Sequence, residues 1–434
     1  MLASTFELIM NQDETIGGYK AMLEIKKMGH AFLMATKDKK SILFDPWFGQ
    51  PLNYKTFYPF PEITKMSDVE IANVIAIHIS HIHDDHLQED TLKTFSKTTP
   101  ILIAKYVNPK MKEKILNLGF LNIIELEGGH LGFQIGPFGV TTFPKLINDG
   151  SYDSSVVLTV DKKNYYIAND CIHYDGFYKI LNLMFPKFEG AFIGHTSISP
   201  FSWCIDVSEC EQFTTKLSHE TILKDRQKNV WKHIETVSKY ISPNWVVPYS
   251  SDYCFAHLEM IRFNYFFEKA NEILNYDIGS AKPLILENGD SIQIDVSQFK
   301  LTHSSQKKSK EPIRLGSWIE ENCEKIDFQK FTQLAEKYFL NFFKETSKKW
   351  PNPMTILISF HNNELTEDIC YFVNNGFVEI LDDKSRYDLT ISYPARAFAG
   401  VIENRWSLRQ FHLFFLFSAK WRTYKHGQMD LNSW

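Results

Sequence analysis

The sequence of 434 residues is poor in several things, and each shortage excludes something. Six cysteines, scattered along the chain, are too few for a disulfide framework, so a reducing cytoplasm is the expected setting. Positive charge is not in excess. Lys and Arg number 47 against 52 Asp and Glu, a formal net charge of -5, which gives no reason to expect nucleic acid as a partner. No stretch approaches the roughly 18 uninterrupted apolar residues of a membrane span. The most aromatic run, at 411–417, is short and is interrupted by His412. Residues 1–18 lack the basic start of a secretory signal. There is no internal repeat and no low-complexity tract. A hydrophobic fraction of 44% with 23% charged residues excludes disorder as the dominant state. What the chain does have is aromatics, 15% of all residues including 35 Phe. They point either to ring-binding pockets or to a Phe-rich core.

The first half alternates short β-like runs with turn signals. Strands are expected at 21–25, 31–35 and 41–44, with a charged turn at 37–40. The run 74–80 is almost all apolar and is followed by polar residues, the pattern of a buried strand feeding a functional loop. Further strands are expected at 140–143, 155–160, 164–168, 190–193 and 245–247. Helical spacing covers 109–118, a long span at 207–240 broken near Ser218, and 257–275. A charged segment around Lys307, Lys308 and Pro312 interrupts the pattern and reads as a linker or exposed loop. Beyond it a helix is expected at 328–343, strands at 355–360 and 387–393, and a last helix at 408–421. The order predicts an α/β domain over 1–280 and a smaller α+β domain over 281–434.

The sharpest feature is Ser80-His81-Ile82-His83-Asp84-Asp85-His86. His81, His83, Asp85 and His86 place four metal-ligating side chains within six residues, directly after a buried strand. His81 and His83 are two apart, so on an extended segment they point the same way. Asp85 and His86 fall where the chain is expected to turn into a helix. The spacing suits two adjacent metal ions, one on the first His pair and one on Asp85 and His86. A solvated loop that is merely His-rich is the competing reading. Desolvating so many ionisable groups at a strand end without a metal is costly.

This motif resembles the His-x-His-x-Asp-His signature of the metallo-β-lactamase superfamily. Ile42-Leu43-Phe44-Asp45-Pro46 is similar to the family's early strand ending in Asp, which implies that Asp45 supports the metal loop from behind. Tyr165-Tyr166-Ile167-Ala168-Asn169-Asp170 is similar to the strand whose final Asp bridges two metals. The resemblance covers roughly 21–253 and implies an αββα sandwich with the metals at one edge. A closer likeness, to the CMP-sialic acid hydroxylase family, lies in Leu43-Phe44-Asp45-Pro46-Trp47, Ile79-Ser80-His81 and Asp170-Cys171. It continues in Phe192-x-Gly194-x-x-Ser197-x-x-Pro200 and in Pro248 followed nine residues later by His257. That family hydroxylates a sugar nucleotide with iron, oxygen and an electron donor.

The chain departs from the hydrolytic members of the superfamily in two places. Their third His on the first metal falls in a window that reads Ile147-Asn148-Asp149-Gly150-Ser151-Tyr152-Asp153 here, so Asp149 or Asp153 would stand in. A turn role beside Gly150 is the alternative for both. Their last His is replaced by Ser250, with His257 the nearest substitute or else a helix-start residue. Ligation rich in carboxylate suits iron or manganese at least as well as zinc. Asp84, between the ligands, and His195, after Gly194, are the candidate catalytic acid–base groups. His30 is a candidate for support from behind the ligands, and His78 reads as a satisfied core residue. Tyr249, Tyr253, Phe255, Phe201 and Trp203 fall in loops expected near the metals and could clamp a ring.

Cys171-x-His173 and Cys254-x-x-His257 spell the two halves of a Rieske-like pattern, but they lie far apart. Without a built-in cluster, an oxygenase would need an external electron donor. Two functions therefore stand side by side. One is a diiron oxygenase acting on a small polar, sugar- or nucleotide-like metabolite. The other is a zinc- or manganese-dependent hydrolase of a lactone, phosphodiester or amide. The oxygenase is favoured narrowly. The C-terminal part carries no catalytic motif and is expected to cover the metal edge or to mediate a homodimer.

Overall fold

The computed structural model describes residues 22–146, 152–195, 204–206, 218–266, 269–295, 299–305, 311–350, 352–412 and 416–422. Two large sheets face each other. The first has eight strands in the order Phe299–Thr302, Ser291–Ile294, Leu23–Gly29, Phe32–Lys37, Lys40–Phe44, Val74–Ile79, Ile101–Ala104 and Ile123–Leu126. The second has seven, ordered Lys282–Pro283, Trp245–Tyr249, Phe188–Gly194, Lys163–Ile167, Tyr152–Val160, Phe138–Leu146 and Phe133–Ile135. Strands at 282–302 thus complete both sheets, and the sandwich runs past the boundary expected at 280.

Alternation along the strands builds the layers. Ile25, Leu33, Ile42, Phe44 and Ala76 from the first sheet meet Val140, Val156, Leu158, Ile167, Phe192 and Val247 from the second. The opposite face of the first sheet, with Leu43, Ile77, Ile79 and Ile103, packs on Leu92 from the helix Glu89–Leu92 and on Met111 and Ile115 from the helix Lys110–Asn117. The opposite face of the second sheet, with Tyr166, Ala191 and Val246, packs on Tyr178 and Leu181 from the helix Asp175–Met184. The long helix His219–Ile241 adds Trp231, Ile234 and Val237 to the same layer. The result is the expected αββα sandwich. Gly190 is required inside it, because a Cβ there would come within 2.2 Å of the Trp245 ring.

A third sheet of six strands takes Ile205–Asp206 beside Ser418–Trp421, then Leu389–Pro394, Met354–His361, Thr366–Asn374 and Phe377–Leu381. The helices Phe328–Thr346 and Ala395–Ile402 cover it through Phe339, Phe343 and Phe398. Much of the Phe content is therefore core. The same cluster takes in Phe255, Met260 and Phe263, so the sheet is packed against the sandwich.

Two expected helices differ from expectation. The segment 257–275 forms two 3₁₀ turns, Ile261–Phe266 and Ala270–Asn275. The Asn264 side chain accepts from Phe255 N–H at 2.8 Å and donates to its carbonyl at 2.6 Å, tying the first of these turns to the strand Tyr253–Phe255. The last expected helix is confined to Leu408–His412, and Ser418–Trp421 is a strand paired with Leu389–Ser392. Alternate burial of Ala419 and Trp421 follows the period of two that a strand needs. The long helix begins at His219, with Ser218 as its N-cap; residues 207–217 lie outside the described set.

Candidate metal centre

The strands Lys40–Phe44, Val74–Ile79 and Lys163–Ile167, and the strand Trp245–Tyr249, all end at one edge of the sandwich. The chain leaves that edge through strained corners. Asp45, Asn169, Ser250 and His30 adopt left-handed backbone conformations with φ of 46°, 51°, 63° and 38°. Non-glycine residues rarely do so, and such positions gather where function over-determines the structure.

After Ile79 the chain makes a turn rather than entering a helix at once. His86 and Leu87 N–H both donate to the His83 carbonyl, at 3.1 and 2.8 Å. The helix starts only at Glu89, capped by the Gln88 side chain. This turn folds the cluster together. His81 Nε2 and His83 Nδ1 are 2.9 Å apart, and the rings of His81 and His86 have centroids 4.0 Å apart.

Asp45 fixes the cluster from behind. It is fully buried, accepts from Ser80 N–H at 2.7 Å and from the Ser80 hydroxyl at 2.6 Å, and sits 2.8 Å from His86 Nδ1. His86 Nδ1 is thereby committed and Nε2 is turned outward, 3.6 Å from Asp85 Oδ2 and 3.4 Å from Asp170 Oδ2. That buried Nε2 makes no hydrogen bond. An imidazole held by a carboxylate on one nitrogen, with the other aimed at two more carboxylates, is the arrangement of a metal-ligating histidine. One ligand atom each from His81, His86 and Asp170 lie within 4.8 Å of one another, as do one each from His30, Asp85 and His86. The residues present fit metal ions.

Electrostatics agree. Burial disfavours charge on His86, but Asp85, Asp170 and Asp45 outweigh it and raise its pKa well above the ordinary value. Burial likewise works against ionised Asp85, yet His86, His30 and His83 hold its carboxyl well below the usual range. For Asp170 burial is overcome by His86 and His81, and its carboxyl is also depressed. A site that keeps Asp85 and Asp170 ionised around the buried His86 is built for positive charge.

The other expected site residues fall elsewhere. Asp153 is buried beside the cluster, its Oδ1 3.3 Å from His81 Nδ1, so it supports His81 from behind. Asp149 lies outside the described residues. His257 does not reach the cluster: its Nε2 faces the Lys55 carbonyl at 2.9 Å and its Nδ1 the Gly316 carbonyl at 3.3 Å. It ties the sandwich to the segment leading into the third sheet. Asp84 points away to the surface, where it pairs with Lys114 at 2.8 Å. A helix-borne cation captures it, which removes the geometry a catalytic base needs. His195 is buried at the edge, with Nδ1 3.0 Å from the Tyr249 carbonyl and its own carbonyl accepting from Gln227. The preceding Gly194 is needed there, since a Cβ would come within 2.9 Å of the Asn169 carbonyl.

His78 is in the core as expected, but neither ring nitrogen has a hydrogen-bond partner, so it is not satisfied. The Rieske-like halves form no cluster. Cys171 Sγ meets His173 Nε2 at 3.2 Å, and burial raises the Cys171 thiol and pushes that of Cys254 up to about 12. Among the described residues neither cysteine belongs to a metal-capable group. Of the aromatic candidates, Tyr253 meets His30 edge-on, Tyr249 is buried with its hydroxyl bonded to Asn169, and Phe255 is core. Phe201 and Trp203 lie outside the described residues. Two supports carried no local signal in the sequence. Ser80 links Asp45 to His81, and the Ser250 hydroxyl donates to Asp170 Oδ1 at 2.9 Å.

No family model matches the chain. Two curated proteins of Mycobacterium tuberculosis, from strains CDC 1551 and H37Rv, are each 23% identical to it over 104 residues, 24% of this chain. Both bear the name "Putative Rieske 2Fe-2S iron-sulfur protein", and the chain spans 20% of their length. Among solved structures it is similar to CmlA, a diiron β-hydroxylase from Streptomyces venezuelae, at 17% identity and a TM-score of 0.38 over 54% of this chain and 46% of that one. It is similar to Igni18, a metallo hydrolase from Ignicoccus hospitalis, at 15% identity and a TM-score of 0.41 over 64% of this chain and all (100%) of that one. YhfI from Bacillus subtilis, a metallo-β-lactamase fold protein, gives 12% identity and 0.41 over 63% and 100%. The four layers with the His-rich loop at their edge are the arrangement that the resemblance of the sequence motifs implies. No helix among the described residues is long and apolar enough to cross a membrane.

Proposed function

We propose that this chain is a dinuclear metal enzyme of the oxygenase kind, acting on a small polar metabolite. The observation that carries the reading is the composition of the first-metal corner. One ligand atom each from His81, His86 and Asp170 lie within 4.8 Å of one another, and His83 Nδ1 is 2.9 Å from His81 Nε2. Two histidines and one carboxylate with open positions are the donor set of non-haem iron oxygenases. Asp85 and His86 would hold the second ion, with Asp170 between the two. Bound iron supplies dioxygen activation and redox change, whereas zinc or manganese supplies a water acidified toward neutrality.

The protein's own part is to support the ligands. Asp45 holds the His86 ring, Ser80 and Asp153 flank His81 Nδ1, and Ser250 orients Asp170. These groups preset the ligand directions before any ion binds, which spares reorganisation later. Electrons would come from outside the chain, and the name carried by the two mycobacterial relatives suggests a Rieske-type donor. A cytoplasmic setting agrees with the five described cysteines, all free and buried. The short-motif likeness to CMP-sialic acid hydroxylases favours a sugar- or nucleotide-like substrate.

Anaerobic loading with ferrous iron, then oxygen-electrode measurements with an external reductant, tests the reading. Iron-dependent oxygen uptake supports it. Turnover of lactone or phosphodiester probes by zinc-loaded protein, with no oxygen uptake by iron-loaded protein, would give the hydrolase instead.

A further inference from the structure

We infer that His30, from the first hairpin of the chain, is a metal ligand at the second corner of the site, beside Asp85 and His86. The inference rests on the dinuclear reading above and extends it to a residue far from the His-rich motif. His30 Nε2 lies 3.2 Å from Asp85 Oδ2, and the same oxygen is 3.6 Å from His86 Nε2. One ligand atom from each of the three lies within 4.8 Å of the others. A single ion with bonds of roughly 2.0–2.2 Å fits between atoms so spaced.

The hairpin is built to present this ring. His30 and Ala31 form a two-residue turn between the strands Leu23–Gly29 and Phe32–Lys37. His30 is only 2% exposed, its backbone is left-handed with φ of 38°, and its buried Nδ1 has no hydrogen-bond partner. Strain and an unmet polar atom both cost stability, and they persist only where surroundings force them. Those surroundings are visible. Asp252 Oδ2 accepts from His30 N–H at 3.0 Å and is itself held by Lys27 Nζ at 2.9 Å. The His30 carbonyl accepts from Ser250 N–H at 3.0 Å. Trp47 and Tyr253 meet the ring edge-on, with centroids 5.5 and 5.1 Å away. Every support leaves Nε2 facing Asp85. Ser250, stitched to His30 through its backbone, has its own hydroxyl committed to Asp170.

A ligand differs from a group that merely orients Asp85 by a hydrogen bond, and the His30→Gln variant separates them. Its amide can donate to Asp85 but is a poor ligand. The full chain is loaded anaerobically with cobalt(II), dialysed, and measured for metal content, stepwise affinity and visible absorption. Thermal unfolding in chelator checks that each variant is folded. Wild type is expected to hold two ions. His30→Gln and His30→Ala should both keep the first ion and bind the second at least ~100-fold more weakly, above the loss typical of a supporting residue. They should also lose the part of the cobalt spectrum that belongs to the second site. Wild-type affinity and spectrum in His30→Gln would overturn the inference and leave His30 as a positioning residue. A wild type that holds fewer than two ions would overturn the dinuclear reading itself, and the inference with it.

Discussion

His86 Nδ1 lies 2.8 Å from Asp45 Oδ2, and both residues are wholly buried. This contact decides which imidazole nitrogen faces the candidate metal site, with Nε2 directed toward Asp85 and Asp170. Asp45→Asn keeps the shape and removes the charge, so it should weaken metal binding by about 10–100-fold while the protein still folds. Asp45→Ala strands His86 in the interior and should cost about 3–5 kcal/mol in addition. Metal titration and urea unfolding of the two variants check this.

His83→Ala and Asp170→Ala should lose metal and activity together. Each removes a donor proposed for the first ion: Asp170 is grouped with His81 and His86, and His83 Nδ1 lies 2.9 Å from His81 Nε2. Metal analysis alongside turnover measures both. Activity that survives complete metal loss would show that the site lies elsewhere.

Asp84→Asn and His257→Ala should leave metal content unchanged. Asp84 is half-exposed and paired with Lys114, so its loss should shift stability by less than about 1 kcal/mol. His257 is buried between the Lys55 and Gly316 carbonyls, and its removal leaves the carbonyl that its single N–H serves without that donor, at a cost of about 1–3 kcal/mol where water does not reach it. Metal counts compared with unfolding midpoints separate the two effects.

Acid should destabilise the fold through buried histidines away from the ligands. Burial lowers the pKa of His78 to about 4, of His233 to about 4, and of His173 and His412 to about 3. For His173 and His233 the nearby Lys145 lowers it further. Their ordinary value is 6.5. The unfolded chain therefore binds protons that the folded chain refuses once the pH falls below 6.5. Stability from this source is intact above that pH and declines from there toward pH 4, by up to about 1.4 kcal/mol per pH unit for each histidine. Urea midpoints measured in chelator from pH 8 to pH 4.5 should fall with that onset. A flat profile would place these rings in contact with water.

Much of the sandwich was legible in the sequence because its strands are local patterns. The turn at Asp38 and Lys39 and the apolar run into Ser80 are signals within a few residues. The metal cluster was legible for the same reason, since four donors fall within one turn of chain. His30 was legible only as a supporting residue, because its partner Asp85 is 55 positions away and no spacing rule reaches that far. Asp84 and His257 looked functional from their neighbours in sequence. A lysine on an adjacent helix and two main-chain carbonyls gave them other work. The segment after Leu408 was misread because a run of aromatics suits a buried helix and a buried strand alike.

The central claim is that two ions sit side by side at this edge of the sandwich. Crystals of anaerobically iron-loaded protein, with diffraction data on both sides of the iron absorption edge, test it most directly. The account predicts two anomalous peaks flanking Asp170, one at His81 and His83 and one at Asp85, His86 and His30. A single peak, or peaks beside His257 or Cys171, would contradict it.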